Sequence, residues 1–135
     1  MDEATLIEIV QEHLCDPDTR ALALRSKNVS RSLVYRLERR LYLNPGLDRY
    51  IELCTLIGLD VYAFSVVCDR GERWSEELRR HCTIQEGSIS RFARRHNLVR
   101  QSVNQWCCGT HFPRLRVALR VCELLDSHIV VRERM

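Results

Sequence analysis

The amino-acid sequence predicts an all-α protein made of two tandem small helical domains. Three observations lead to this prediction: apolar residues recur at helical spacing, one residue pattern occurs twice, and the composition is that of a folded domain. The chain has 135 residues, 45% hydrophobic and 29% charged, close to the averages for globular proteins. No apolar run reaches the roughly 18 residues of a membrane span, and the start of the chain is acidic, unlike a signal peptide. We therefore expect a soluble, cytoplasmic protein with no membrane partner.

Comparing the sequence with itself reveals one pattern at an offset of 68 or 69 residues. The superposed pairs include Asn28 with Asn97, Val34 with Val103, Pro45 with Pro113, Leu47 with Leu115, and Cys54 with Cys122. Self-similarity at a fixed offset is the signature of a repeat, so we interpret the chain as a tandem duplication joined near residues 69–72. The predicted domains are residues 1–69 and 72–135.

Within each copy the apolar residues follow the i, i+3, i+4, i+7 spacing of an amphipathic helix. The clearest stripes are Leu47, Tyr50, Ile51, Cys54 and Ile57 in the first copy and Leu115, Ala118, Leu119, Cys122 and Leu125 in the second. With the turn and helix-start signals, the pattern predicts helices at about 3–14, 18–27, 30–41, 47–58, 60–67, 74–83, 88–96, 99–107 and 114–125. The tail after Asp126 mixes β-branched and charged residues. It is either a further helical turn or a short strand that serves as a self-association edge.

The charge distribution points to an acidic partner. The net charge is +3, but residues 20–49 carry 8 basic against 2 acidic side chains, and residues 88–120 carry 7 basic and none acidic. Basic stripes of this kind are the electrostatic footprint of a nucleic-acid interface. A solvated helix surface is the alternative explanation when charge is considered alone.

One segment in each copy reads as a helix, a tight turn and a second helix. In the first copy Asn28 provides the turn, since asparagine tolerates left-handed backbone, and Ser30 is expected to cap the next helix. The buried anchors are expected to be Val29, Val34 and Leu37 in the first copy and Ala93, Leu98, Val103 and Trp106 in the second. Trp74 and Trp106 are both expected in the core rather than on a nucleic-acid stacking surface.

Both segments resemble the helix-turn-helix of the Cro/CI-type (XRE-like) phage repressor family. In the first copy the resemblance runs from Leu22-Ala23 through Val29-Ser30-Arg31-Ser32 and Asn44-Pro45 to Gly58-Leu59-Asp60, and in the second it includes Val103-Asn104-Gln105-Trp106, Gly109 and Pro113. It implies a lambda-repressor-like fold for each domain and a DNA-binding transcriptional regulator, a repressor of a phage or mobile-element promoter. The two copies differ at Leu24, where the second has the small Ala93, and at Val99, where the first has the polar Ser30. The first difference implies an altered turn in copy one.

The hydrogen-bonding groups that bases present in the DNA major groove suggest roles for the residues on the outer helix surfaces. Arginine pairs with guanine and glutamine or asparagine with adenine in the major groove. The candidate DNA-binding residues are Ser30, Arg31, Ser32, Tyr35, Arg36, Arg39, Arg100, Gln101, Asn104 and Gln105. The candidate phosphate contacts are Arg20, Arg25, Lys27, Arg40, Arg94 and Arg95. Because the two recognition helices differ, a chain that uses both should read an asymmetric stretch of double-stranded DNA. A homodimer, or a contact with a protein of the transcription machinery, remains open.

The seven cysteines are expected to be reduced and mostly buried, since no pair has C-x-x-C spacing. Two alternatives involve Cys107 and Cys108: a metal site with His111, which lacks a fourth ligand, and a redox-sensing pair. We predict no catalytic residues, metal or cofactor, because no histidine lies in a nucleophile or H-E-x-x-H pattern. The main rival function is a protein-binding regulator, an antitoxin or antiactivator. An exposed apolar patch at Val99, Cys107 and Cys108 would favour it.

Overall fold

The computed structural model describes residues 1–41 and 44–134. In this part of the chain eight helices and three strands follow one another. They are α1 Glu3–Leu14, α2 Pro17–Arg25, α3 Arg31–Glu38, α4 Leu47–Leu56, β1 Leu59–Ala63, β2 Val66–Val67, α5 Gly71–Glu86, α6 Ile89–Arg95, α7 Arg100–Cys108, α8 Leu115–Leu124 and β3 Val130–Glu133. Eight of the nine predicted helices are therefore present, and their ends differ from the predicted ones by three residues or fewer.

The all-α prediction is wrong, because the structure contains a three-stranded antiparallel sheet in the order β2-β1-β3. The predicted helix at 60–67 is instead a hairpin of β1 and β2. Phe64 and Ser65 at its tip have φ of 54° and 62°, the backbone that a two-residue type I′ turn requires. Along β1 residues alternate between buried and half-buried, the period of a strand rather than of a helix.

The chain's tail adopts the strand alternative and pairs inside the molecule. Strand β3 lies antiparallel to β1, with Leu59 opposite Glu133 and Val61 opposite Val131. The tail is therefore not free to act as a self-association edge on its β1 side. Strand β3 also contacts α1, and Val131 is only 3% exposed.

The two copies meet through reciprocal backbone contacts. The Leu47 N–H donates to the Pro113 carbonyl at 2.9 Å, and the Leu115 N–H donates to the Pro45 carbonyl at 2.7 Å. These two hydrogen bonds join residues that are equivalent at the offset of 68, and β1 and β3 are likewise paired antiparallel. Such reciprocity is that of a two-fold interface, here formed within one chain. Because the copies share one sheet and one buried core, the division at residues 69–72 stays a prediction.

The core lies between the inner faces of α4 and α8, both of which are buried as predicted. Tyr50 of α4 donates its hydroxyl to the Leu6 carbonyl of α1 at 2.7 Å. Trp74 of α5 is fully buried and donates its indole N–H to the Cys122 sulfur at 3.5 Å. Burial raises the pKa of the Cys54 and Cys122 thiols to about 12.

All seven cysteines are free, and five of them are buried. This confirms the expectation that most of the thiols are buried. The exposed pair is Cys15 and Cys108.

Candidate nucleic-acid interface

The helix-turn-helix of the second copy, α6 and α7, has the predicted turn. Asn97 adopts left-handed backbone with φ of 55°, and the Leu98 N–H closes the turn on the Ala93 carbonyl at 2.8 Å. Ala93 and Val103 are buried as predicted, whereas Leu98 and Trp106 are only partly buried against the core. The hydroxyl of Ser88 caps α6 by accepting from the Arg91 N–H at 3.1 Å.

The first copy, α2 and α3, has a different turn. The buried Ala23 lies eight residues before the start of α3, whereas Ala93 lies seven before the start of α7. The turn is thus one residue longer, five residues (26–30) against four (96–99). The altered turn expected from Leu24 is confirmed.

Two predictions about this turn are wrong. Asn28 does not adopt left-handed backbone, because the extra residue lets the chain reverse through an extended Ser26, with φ of −69° and ψ of 134°. Ser30 occupies the N-cap position of α3, but its hydroxyl makes no capping hydrogen bond. The anchors Val29, Val34 and Leu37 are nevertheless buried, so the recognition helix is held in place.

The predicted recognition residues lie on two outward helix surfaces. On and beside α3 all six are exposed: Ser30, Arg31, Ser32, Tyr35, Arg36 and Arg39. On α7, Arg100 and Gln101 are exposed, while Asn104 and Gln105 are half-buried. On α7 the N-terminal half, the part of a recognition helix that enters a groove first, therefore presents the more accessible polar side chains, whereas α3 presents them along its whole length. Arg31 also donates its Nε–H to the Leu24 carbonyl at 3.4 Å, which ties it to the end of α2.

A groove of about 880 Å³ runs beside α3 and takes residues from both copies. The predicted residues that line it are Lys27, Ser30, Ser32 and Arg36. Sequence analysis missed Arg49, at the start of α4, and Arg114, just before α8, which line the same groove. Both lie in the basic stretches, but their convergence depends on the packing of the two copies. With Asp48 as its acidic member, the lining carries four basic side chains against one acidic, a surface that attracts phosphate.

The predicted phosphate contacts do not form one set. Arg20 is paired with Glu38 at the end of α3, and Arg40 lies in a separate groove along α1. Arg95 contacts both carboxylate oxygens of Glu86 at 2.9 and 3.0 Å, and this hydrogen bonding lowers the pKa of Glu86.

The other three predicted phosphate contacts, Arg25, Lys27 and Arg94, have exposed side chains. Arg25 also donates its Nε–H to the Ala21 carbonyl at 3.3 Å. Of the six predicted phosphate contacts only Arg20 and Arg95 have a carboxylate partner among the described residues.

The alternatives at the end of α7 gain no support from the packing. Among the described residues no three metal-binding side chains cluster. Cys107 is 5% exposed, and its hydrogen bond with Cys82 of α5 lowers its pKa, whereas Cys108 is exposed. Val99 is 68% exposed but lies about 13 Å along the helix from Cys108, at 1.5 Å per residue. The three residues proposed as an apolar patch are therefore not continuous.

Comparison of the chain with protein-family models, characterised proteins and solved structures gives no match. The resemblance to the Cro/CI-type family therefore stays a prediction from the residue pattern. Across the described residues, no helix is both long and apolar enough to span a bilayer.

Proposed function

We propose that this chain is a cytoplasmic, sequence-specific DNA-binding transcriptional regulator, a repressor that reads an asymmetric site with two unlike recognition helices. One observation carries the proposal: reciprocal backbone pairing fixes two helix-turn-helix units within one molecule, each with an outward polar helix surface. In a homodimer the two helices would be identical and the site palindromic. Here α3 presents arginine, serine and tyrosine, whereas α7 presents arginine, glutamine and asparagine.

The two helices should read different bases. Arg36 lines the groove beside α3 and has the two-pronged donor geometry that suits guanine. Gln101 on α7 is exposed and suits adenine, each such pair discriminating by about 1–3 kcal/mol. The groove's cations would hold the phosphate backbone and position the helices without reading sequence.

The direct test is selection of binding sites from a random duplex library. We expect one asymmetric motif with the intact protein. Arg31→Ala with Arg36→Ala should erase one half of it, and Gln101→Ala with Asn104→Ala the other half. Arg132→Ala, which removes an exposed arginine of β3, is the control and should leave the motif unchanged. Absence of any enriched motif would contradict the proposal.

Salt dependence tests the groove independently of sequence. Each phosphate contact contributes about one unit to the slope of log affinity against log salt. We expect Arg49→Ala and Arg114→Ala each to reduce that slope by about one unit and to weaken binding equally on selected and random duplexes. An unchanged slope would exclude the groove from the DNA interface.

The second candidate is a protein-binding regulator, favoured by the exposure of Val99 at the start of α7. In that case Val99→Ser would abolish association with the protein partner. If DNA binding is the function, the same variant should keep every position of the selected motif that depends on arginine, glutamine or asparagine, because valine offers a base only an apolar contact with a thymine methyl group.

A further inference from the structure

A second groove, of about 770 Å³, runs along α1 on the first copy. One wall is a side of α1 that includes the partly exposed row Ala4, Glu8, Gln11 and Cys15. The other wall is formed by Arg40 and Leu41, and Leu41 is 53% exposed. The groove thus follows α1 over about 13 residues, or roughly 20 Å at 1.5 Å per residue.

The groove is acidic at its rim and apolar within. Its lining carries four carboxylates, Asp2, Glu3, Glu8 and Glu12, against the single basic Arg40. Glu3 is paired with Arg116 at 2.9 Å, but Glu8 and Glu12 are exposed and make no ion pair with the described residues. Ile7, which is 8% exposed, and Leu41 supply apolar side chains to the same lining. The carboxylates of Asp2, Glu8 and Glu12 would repel a phosphate backbone, so this surface is unsuited to DNA.

The equivalent surface of the second copy lacks this groove's combination of unpaired carboxylates and an exposed apolar side chain. At the offset of 68, Glu8 corresponds to Glu76, which is paired with Arg73 at 3.3 Å, and Glu12 corresponds to Arg80. Leu41 corresponds to the exposed Thr110, because the hydrogen bond from the Leu41 N–H to the Arg36 carbonyl is matched, at the offset of 69, by the one from the Thr110 N–H to the Gln105 carbonyl. The second copy therefore presents a polar side chain at this position, while the first copy presents an apolar side chain and unpaired carboxylates.

We propose that this groove binds a basic, amphipathic helical segment of a protein partner. A helix laid beside α1 would place apolar anchors at i, i+4 and i+7 between Ile7 and Leu41, the recurring mode of helix-in-groove recognition. Lysine or arginine on its flanks would meet Glu8 and Glu12. A site that bears the opposite charge to the DNA face lets the partner and the operator bind at once. The proposal stands apart from DNA reading and does not depend on it.

The test uses the full chain without DNA and a fluorescent synthetic peptide of 15 residues. The peptide carries leucine at i, i+4, i+7 and i+11 and lysine or arginine on its flanks, and a control peptide has the same composition with the leucines dispersed. We expect anisotropy to show at least about tenfold weaker binding of the control peptide. Glu8→Gln with Glu12→Gln should weaken binding of the amphipathic peptide by about tenfold. Leu41→Ser should weaken it by about fivefold.

The matched control is the same charge change on the other copy. Glu72→Gln with Glu76→Gln should alter peptide affinity by less than about twofold. Equal losses with both pairs of variants, or equal affinity for both peptides, would overturn the proposal, because either would reduce it to general attraction between charges. Failure to select a DNA site would leave this result untouched, so the two proposals fail separately.

Discussion

Replacing Val34 by alanine tests whether the two copies unfold as one unit. Val34 is fully buried on α3 of the first copy. Removal of its two terminal carbons lowers the free energy of unfolding by about 1.6 kcal/mol, at roughly 0.8 kcal/mol for each carbon. The cavity left behind lowers it further. We therefore expect the free energy of unfolding to fall by about 2–3 kcal/mol. At a urea m-value of about 2 kcal/mol/M, the midpoint should fall by about 1–1.5 M.

The two tryptophans allow the unfolding of the second copy to be followed separately. Trp74 and Trp106 both lie in the second copy, so their fluorescence reports that copy, whereas far-UV circular dichroism reports the helices of both. Because β1 and β3 form one sheet across the copies, both signals should shift by the same amount. Val99→Ala, at a 68% exposed valine, is the control and should change stability by no more than about 0.5 kcal/mol. If the fluorescence curve of Val34→Ala is unshifted while circular dichroism shows an additional transition at lower urea, the two copies do not unfold as one unit.

Three further predictions concern exposed groups and ion pairs. At pH 8 a maleimide should modify the exposed Cys15 and Cys108 at least about 100-fold faster than the five buried thiols. Intact mass would count the adducts, and uniform labelling of all seven would contradict their burial. Glu38→Gln should release Arg20 and tighten DNA binding by about two- to fivefold at low salt, with a smaller gain at high salt; no gain at low salt would place Arg20 away from DNA. The pKa of Glu86 is lowered in the folded state by its arginine partner on α6, so its contribution to stability is present above the unfolded pKa and is lost as pH falls through the folded pKa. Glu86→Gln should therefore reduce the melting temperature more at pH 7 than at pH 3, and an equal reduction at both would exclude the ion pair as the cause.

Local signals predicted the helices but not the sheet. The stripes of α4 and α8 are visible within ten residues, because a helix face is set by nearby side chains. Strand β1 depends on β3, some 70 residues away, and a short apolar run such as 59–63 is ambiguous between helix and strand when viewed alone. The two left-handed residues at the hairpin tip, Phe64 and Ser65, are not glycine or asparagine, so the usual sequence signal of a type I′ turn was missing.

The candidate site shows the same limit. The outward residues of α3 and α7 followed from helical periodicity, and they are exposed or half-buried as that periodicity requires. The pairing of Arg20 with Glu38 and the convergence of Arg49 and Arg114 on one groove depend on contacts between elements distant in sequence. Charge counting identified the basic stretches but could not separate cations already paired from those facing a groove.

A tandem duplication, which the repeated residue pattern predicts, would explain how the two faces of this molecule came to differ. In a homodimer every substitution appears on both sides of the axis, so a change that improves one half-site is imposed on the other. Here the reciprocal hydrogen bonds at Pro45 and Pro113 keep the two-fold arrangement, while α3 and α7 carry different side chains. The same freedom applies to α1 and α5, since only the first copy combines an acidic rim with the exposed Leu41. The contacts that retain symmetry are those that join the copies, and the surfaces that have lost it are the ones to which we assign separate partners.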